Sequence, residues 1–505
     1  MRRKTCSLRK IVACFFMVGV IASMGCDTAK HDVSSQTEAA TETYTEDIYG
    51  ELADNEQERV YYQNYLKHDA TAGTEEYYYI VNSQLHSYNT KTGVEKVLCH
   101  KKGCTHGYSD AECGAYVTTR DKVNWGEAGK SYNCMGKMLF WHNDGLYVIE
   151  SDETSDYLVK YDSEHKAVQQ KWNLVDEINE RYCAGFSTEG AAILVGDYLY
   201  YMSAVSGKDK TEDYYAANNY NTDNQFNRIK LEAGAKPETL GKIDISIYTG
   251  ECDTAIRTSG QYIYVFSEGK ENGILQSNNG WYWCRVCRYD TVGGTFETLY
   301  SVQHNFGHLN LDNGVALDVS FDDNLCMDDK GNAYMLSSVN QQAQIYKLSF
   351  DNGFKAECVY SPQNKDVTLE SMYFDGSNFY VFEQFADLEK GYHRIIKLDK
   401  NGVPVISMEL QYDDAYMAAM VGGDTWSDRT AKYWKMYVEI VGGDEDRLII
   451  KTYTYGIKCL THDDKGIKLD GRNDSERFDT YAMGIIKKST FGNEGAGITR
   501  IYQVK

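Results

Sequence analysis

One phrase recurs along this chain from Tyr77 onward, and it limits the fold more than any other feature. A turn containing Gly, Asp or Asn leads into a strand of aromatic and β-branched residues. After a variable insertion, a second strand ends in a pair such as Tyr-Asp or Leu-Asp and another turn. Residues 76–93 (EYYYIVNSQLHSYNTKTG) hold the first copy. Then 143–149 is answered by 158–168, 195–202 by 227–235, 259–266 by 287–300, 328–336 by 345–353, and 375–382 by 394–402. A seventh, weaker copy at 443–453 is answered by 484–489. Alternation with period two, bounded by residues that supply positive φ or cap a turn, is the mark of half-buried strands.

The copies start about 46 to 70 residues apart, which accommodates four-stranded blades with long loops. Radial closure removes most of the edges that a long antiparallel sheet would expose. The expected fold is therefore an all-β propeller of about seven blades, within a range of six to eight. A stacked sandwich pair is the alternative. The 42 tyrosines, against 17 phenylalanines and 3 prolines, point the same way, since tyrosine suits a pleated surface with its ring inside and its hydroxyl at the water. The terminal stretch 498–505 (ITRIYQVK) reads as a strand that would complete the first blade. Two insertions stand out: 171–182, with helical spacing at Trp172, Val175 and Ile178, and a Gly-rich loop near 411–437. Trp426 and Trp434 in that loop either pack it onto the propeller or meet a ligand.

The first sixty residues are of another kind. MRRKTCSLRK is basic, and 11–24 is an uncharged apolar run of 14 residues, too short to span a bilayer and the right size for a signal-peptide core. The run ends in Ser23-Met24-Gly25-Cys26, which resembles a bacterial lipobox, with Ser23 where leucine is usual. The implied arrangement is a lipoprotein signal peptide at 1–25, a lipid on Cys26, a flexible acidic tether at 26–60 and the propeller domain at 61–505. The alternative is a plain secretory peptide cut after Gly25. Between 27 and 58 there are ten acidic residues and one lysine, too polar to pack; a short helix over 51–66 fits the spacing of Leu52, Val60, Tyr61 and Leu66. Loss of the leader takes the formal charge from −22 to −27. That charge, with no basic run beyond residue 10, disfavours nucleic acid as a partner.

Chemistry concentrates at 99–113. Cys99, Cys104, His106 and Cys113 follow the pattern C-x4-C-x-H-x6-C. Three thiols and an imidazole suit a structural tetrahedral Zn²⁺. In an exported protein two of the thiols can instead form a disulfide, with the third paired to Cys134, or all can remain free. The surrounding segment VLCHKKGCTHGYSDAECGAY (97–116) resembles one found in uncharacterised propeller lipoproteins of Gram-positive anaerobes, distantly related to TolB-like propellers. The resemblance implies a lipoprotein and a propeller and carries no reaction.

Other candidates read as structural. Cys284 and Cys287 sit three apart in an apparent strand, which sends them to opposite faces and away from redox chemistry. His304, His308, Asp312 and Asp318 read as solvated loop residues, and Asp322, Asp323, Asp328 and Asp329 as turn formers. Nucleophile-elbow, phosphate-loop and zinc-protease motifs are missing from the sequence, and no catalytic residue is assigned.

Three functions remain on this reading: a cell-surface, lipid-anchored binding or scaffold module for a protein or glycan, a carbohydrate-active enzyme on a propeller, or a modulator of envelope assembly. The first is preferred because function in such folds lives in loops on one face. Replacement of Cys26 (Cys26→Ala) is expected to shift the protein from the membrane fraction to the soluble exported fraction. An unchanged membrane fraction on immunoblotting would remove the anchor.

Overall fold

The middle strands of each repeat are apolar on both faces, so one open sheet cannot satisfy them. Strands with this pattern must be covered on both sides. The computed structural model resolves how. It describes residues 70–503 apart from several connecting stretches, the longest being 118–137, 208–222, 270–280 and 411–435. Cys26, the acidic tether, the 51–66 stretch, Trp426 and Trp434 lie outside the described residues.

Seven four-stranded antiparallel sheets follow one another along the chain. Blade 1 is Ala70–Ala72, Glu76–Val81, Gln84–Asn89 and Glu95–Val97; blade 2 is Met138–His142, Gly145–Ser151, Asp156–Tyr161 and Val168–Asn173. Blade 3 is Ala192–Val195, Tyr198–Gly207, Asp223–Lys230 and Glu238–Ile243, with Arg181–Gly185 added beside its second strand. Blade 4 is Thr254–Ser259, Tyr262–Gly269, Trp281–Asp290 and Phe296–Asn305; blade 5 is Leu325–Met327, Ala333–Val339, Gln342–Ser349 and Lys355–Tyr360. Blade 6 is Val367–Phe374, Asn378–Phe385, Tyr392–Asp399 and Pro404–Glu409, and blade 7 is Met436–Gly443, Arg447–Lys458, Arg477–Lys487 and Thr499–Gln503.

First strands lie innermost. Those of blades 3 and 4, 4 and 5, 5 and 6, 6 and 7, 1 and 2, and 7 and 1 sit beside one another, and a shared core joins blades 2 and 3, which closes the ring. Burial falls from the axis outward: every residue of Thr254–Ser259 is buried, whereas Pro404–Glu409 is mostly exposed. The chain is an all-β, seven-bladed propeller.

Period-two alternation supplies the glue. In blade 4, Tyr264 and Phe266 enter the core shared with blade 5, while Ile263 and Val265 enter the core shared with blade 3. In blade 6, Met372 and Phe374 face blade 5 and Tyr373 faces blade 7. Each boundary from blade 1 through blade 7 is filled in this manner. A buried side chain of this class contributes on the order of 1.5–3 kcal/mol, so the interblade cores dominate stability.

At the axis, polar side chains of one blade satisfy the backbone of the next. Thr71 Oγ1 accepts from Trp141 N at 3.2 Å, Asn324 Oδ1 from Met372 N at 3.1 Å, and Ser371 Oγ from Ile440 N at 3.0 Å. Arg257, fully buried, donates through Nε to the Leu325 carbonyl and through Nη1 to that of Ile256 at 2.9 Å. These bonds matter because a buried backbone group without a partner costs about 1–3 kcal/mol. The repeated Asp or Asn after the third strand is a turn cap: Asp290 Oδ1 accepts from Val292 N and Gly293 N, and Asp399 Oδ1 from Asn401 N and Val403 N. Gly294, at φ +66°, completes the first of these turns where a side chain would strain the backbone.

Three expectations change. The chain end does not complete blade 1: Thr499–Gln503 pairs with Arg477–Lys487 and finishes blade 7, so among the described residues no blade is shared between the two ends of the chain. The segment 171–182 is not helical where it is described, because Trp172 lies in the strand Val168–Asn173, opposite Leu158, and is buried between blades 2 and 3. His304 is no solvated loop residue; it ends a strand and is buried beside Glu268, 3.3 Å away. Among the described residues the helical content is one short turn, Lys488–Thr490.

The axial bonds generate a stability prediction. Ser371→Ala leaves the buried N–H of Ile440 without its oxygen and is expected to cost about 1–2 kcal/mol, read as a lowered midpoint in denaturant unfolding at unchanged slope.

Candidate metal centre

In an up-and-down blade, the connection from second to third strand and the one leaving the fourth strand emerge from the same end. The long connections, 98–137, 174–191, 208–222, 306–324, 410–435 and 459–476, all depart from that end. The opposite end carries tight turns such as 143–144, 196–197 and 260–261. Pairing of Arg181–Gly185 with the far end of Tyr198–Gly207 places part of one long connection there directly. One member, 306–324, instead folds a short hairpin back between blades 4 and 5, where Leu309, Leu311 and Leu317 are buried.

The Cys/His motif lies on the first of these connections. Blade 1's outermost strand, Glu95–Val97, covers only His86–Tyr88 of its neighbour. The chain then leaves the sheet and returns so that Tyr116 bridges Gln84 and Leu85 N donates to Ala115 O at 2.9 Å. Leu98, Ala115 and Val117 are buried at the two feet of this excursion, with Leu98 and Val117 in the core between blades 1 and 2. Their burial does not offset the ordering of the described residues 99–106 and 112–114, at roughly 1–2 kcal/mol of backbone entropy per residue. Something within the excursion must supply the rest.

What lies within it is a compact ligand set. The thiol sulfurs of Cys99, Cys104 and Cys113 and a ring nitrogen of His106 all fall within 4.8 Å of one another. Cys113 is buried and Cys99 and Cys104 half-buried, and no disulfide joins them. The ring Nδ1 of His106 lies 3.5 Å from Cys113 Sγ. His106 itself takes φ +51°, a left-handed conformation that costs a non-glycine residue energy. The other two such residues described, Asn143 and Asp144, form a two-residue hairpin turn in which that conformation is ordinary. Strain at His106 therefore accompanies the placement of its ring beside Cys113.

Two further features tie the arms of the excursion. Gly114 N donates to Cys99 Sγ at 3.2 Å, and a Cβ on Gly114 would itself lie 3.2 Å from that sulfur, so glycine permits the approach. Lys101 Nζ donates to the Glu112 carbonyl at 2.7 Å and meets its carboxylate at 3.3 Å. That exposed ion pair is worth little by itself. Burial raises the Cys99 thiol, but the N–H groups of Lys101 and Gly114, helped by the thiols of Cys113 and Cys104, outweigh burial and bring it below the ordinary thiol range. Cys113 is pushed up to about 12 by burial, reinforced by Cys104 and Cys99. Lys101, Glu112 and Gly114 were not marked in the sequence; the Cys-Gly pair at 113–114 is the one signal that pointed to a backbone approach.

This cluster could hold a metal ion. The other candidates part company. Cys284 faces the core with blade 5 and Cys287 the core with blade 3, and burial raises both thiols. Asp328 is a turn cap, accepting from Lys330 N and Asn332 N at 2.9 and 2.8 Å, and Asp312 Oδ2 accepts from Phe354 N at 2.7 Å. His308, Asp318, Asp322, Asp323 and Cys134 lie outside the described residues.

Sequence reasoning passed over two buried carboxylates. Glu268 lies 3.3 Å from His304 Nε2, and Glu383, fully buried, accepts from Tyr360 OH and from Arg394 Nε at 2.8 Å. They belong to blades 4 and 6.

The chain matches no protein-family profile and no curated protein sequence. Among solved structures it is similar to a prolyl endopeptidase at 10% identity and a TM-score of 0.40, over 84% of this chain and 55% of that one. It is also similar to TolB from Acinetobacter baumannii (12% identity, TM-score 0.28, 68% of this chain and 63% of that one). A third similar structure is Hsv2 from Kluyveromyces lactis (11% identity, TM-score 0.33, 81% and 99%). The chain thus spans about 55% of the endopeptidase and 63% of TolB, and the propeller assignment rests on the chain's own sheet topology.

Proposed function

We propose that the protein is an exported propeller, anchored outside the cell membrane by a lipid on Cys26, that binds a protein or glycan with the face carrying its long connections. The observation that carries this reading is the asymmetry of the disc, with tight turns at one end and extended connections at the other. A rigid scaffold with variable loops gathered on one side is the usual geometry of recognition. Several buried polar side chains lie toward the same end, among them Gln84, Asn224, Glu268, His304, Glu383 and His393. A carbohydrate-active enzyme would need two carboxylates facing each other across a cleft. Glu268 lies beside His304 in blade 4, and Glu383 is engaged by Arg394 of blade 6 and Tyr360 of blade 5.

The Cys/His excursion takes a structural Zn²⁺ on this reading. Structural zinc contributes apparent energies of about 10–16 kcal/mol in small zinc modules, the scale needed to order a segment with so little apolar burial. With four protein ligands the ion has no open position and supplies no catalysis.

Binding is tested with the full exported chain carrying Cys26→Ala, on glycan arrays and against cell-envelope protein fractions. Trp426→Ala with Trp434→Ala, on the 410–435 connection, is expected to weaken a detected interaction about tenfold or more. Val292→Asp and Val403→Asp, in turns of the opposite face, are expected to leave it unchanged. The reverse pattern would move the recognition face to the other end.

A further inference from the structure

The outermost strand of blade 1 is interrupted. It pairs at 95–97, leaves the sheet, and resumes at 115–117 along the same edge, so Leu98 N donates to Leu85 O while Leu85 N donates to Ala115 O, both at 2.9 Å. Both halves of the interrupted strand therefore meet at Leu85, whose side chain is fully buried between blades 1 and 2 with Leu98 and Val117. All four candidate ligands lie on the excursion between the halves: Cys99 directly after the first half, Cys104 and His106 within the excursion, and Cys113 directly before the second.

Resting on the zinc reading above, we propose that Cys99, Cys104, Cys113 and the Nδ1 of His106 form a closed zinc centre of three sulfurs and one nitrogen. This centre staples the two halves of the strand together and so completes the edge of blade 1.

The geometry fits that ion. With Zn–S near 2.3 Å and Zn–N near 2.05 Å, a regular tetrahedron has a sulfur-to-nitrogen edge of about 3.6 Å and a sulfur-to-sulfur edge of about 3.8 Å. The His106 Nδ1 to Cys113 Sγ separation is already 3.5 Å, and the whole set lies within 4.8 Å, a contraction of at most about 1 Å from closure. Nδ1, the ring nitrogen that faces the sulfurs, is the ligating atom, which the left-handed backbone of His106 makes reachable. The Gly114 N–H on Cys99 Sγ is the outer-sphere hydrogen bond that a metal-bound thiolate commonly receives. A disulfide would join two sulfurs and leave the third thiol and the imidazole unengaged, whereas one tetrahedral ion uses all four groups. Without the staple, the edge of Gln84–Asn89 at Gln84 and Leu85 loses its cover and becomes a free strand edge.

The test uses the full chain with Cys26→Ala, purified under reducing conditions and loaded with Zn²⁺ or Co²⁺. The expected results are one metal per chain by native mass spectrometry and a tetrahedral cobalt spectrum with thiolate charge-transfer bands. His106→Ala is expected to change that spectrum. On stripping the unmodified site with a chelator, hydrogen exchange at the Leu85 and Leu98 amides is expected to accelerate at least tenfold, while the Val265 amide of blade 4, across the ring, does not change. Reloading with zinc restores protection, which separates a staple from a variant that fails to fold. Stoichiometric metal with unchanged Leu85 protection would overturn the staple and leave the zinc reading standing. A chain that takes up no metal, or that carries a disulfide among Cys99, Cys104 and Cys113 when isolated without reductant and resists loading after reduction, would overturn both.

Discussion

Everything in this molecule depends on the fact that its middle strands must be buried on both faces. A strand such as Tyr262–Gly269 sends alternate side chains into two different cores, one shared with each neighbouring blade. A blade thus has no core of its own; its stability belongs to its boundaries. The requirement for partners on both sides is satisfied for all blades at once only when the array closes. Closure creates a second demand at the axis, where inner strands converge and their backbone groups need partners away from water. The short polar side chains Thr71, Asn324 and Ser371, together with the buried Arg257, meet it by reaching across to the adjacent blade.

That constraint also explains what was legible in the chain. The recurring phrase corresponds to the second and third strands of each blade, such as Tyr198–Gly207 with Asp223–Lys230, because those are the strands with long apolar runs. First strands left little trace where they are only three residues long, as at Ala70–Ala72 and Leu325–Met327. Fourth strands such as Glu238–Ile243 are largely exposed and read as polar linkers. Of the residues with helical spacing, Trp172 belongs to the strand Val168–Asn173, and Val175 and Ile178 lie outside the described residues. The burial of Trp172 comes from blade 3, through its indole N–H to the Glu232 carbonyl at 2.8 Å, a partner sixty residues away that periodicity cannot see.

The Cys/His cluster was legible as residue types and spacing. What spacing could not supply was the return of the chain to the same strand edge, which turns four scattered groups into one cluster within 4.8 Å. His304 shows the opposite failure. Its neighbourhood, HNFGH, reads as loop, yet pairing with Tyr282 and the partnership with Glu268 put it inside blade 4.

The pairing of Thr499–Gln503 within blade 7 has a mechanical side. Because blade 1 is built from consecutive strands, its first described strand, Ala70–Ala72, is also the innermost, and it pairs with Tyr77–Tyr79. A pull applied ahead of Ala70 would therefore act at the hub of the disc and load a three-residue pairing. A shared final blade would have clasped that strand from the chain's other terminus. Among the described residues that strand is otherwise held by the Thr71 bond to blade 2 and by packing against the first strands of blades 2 and 7. The hub is where the ring would give first under tension.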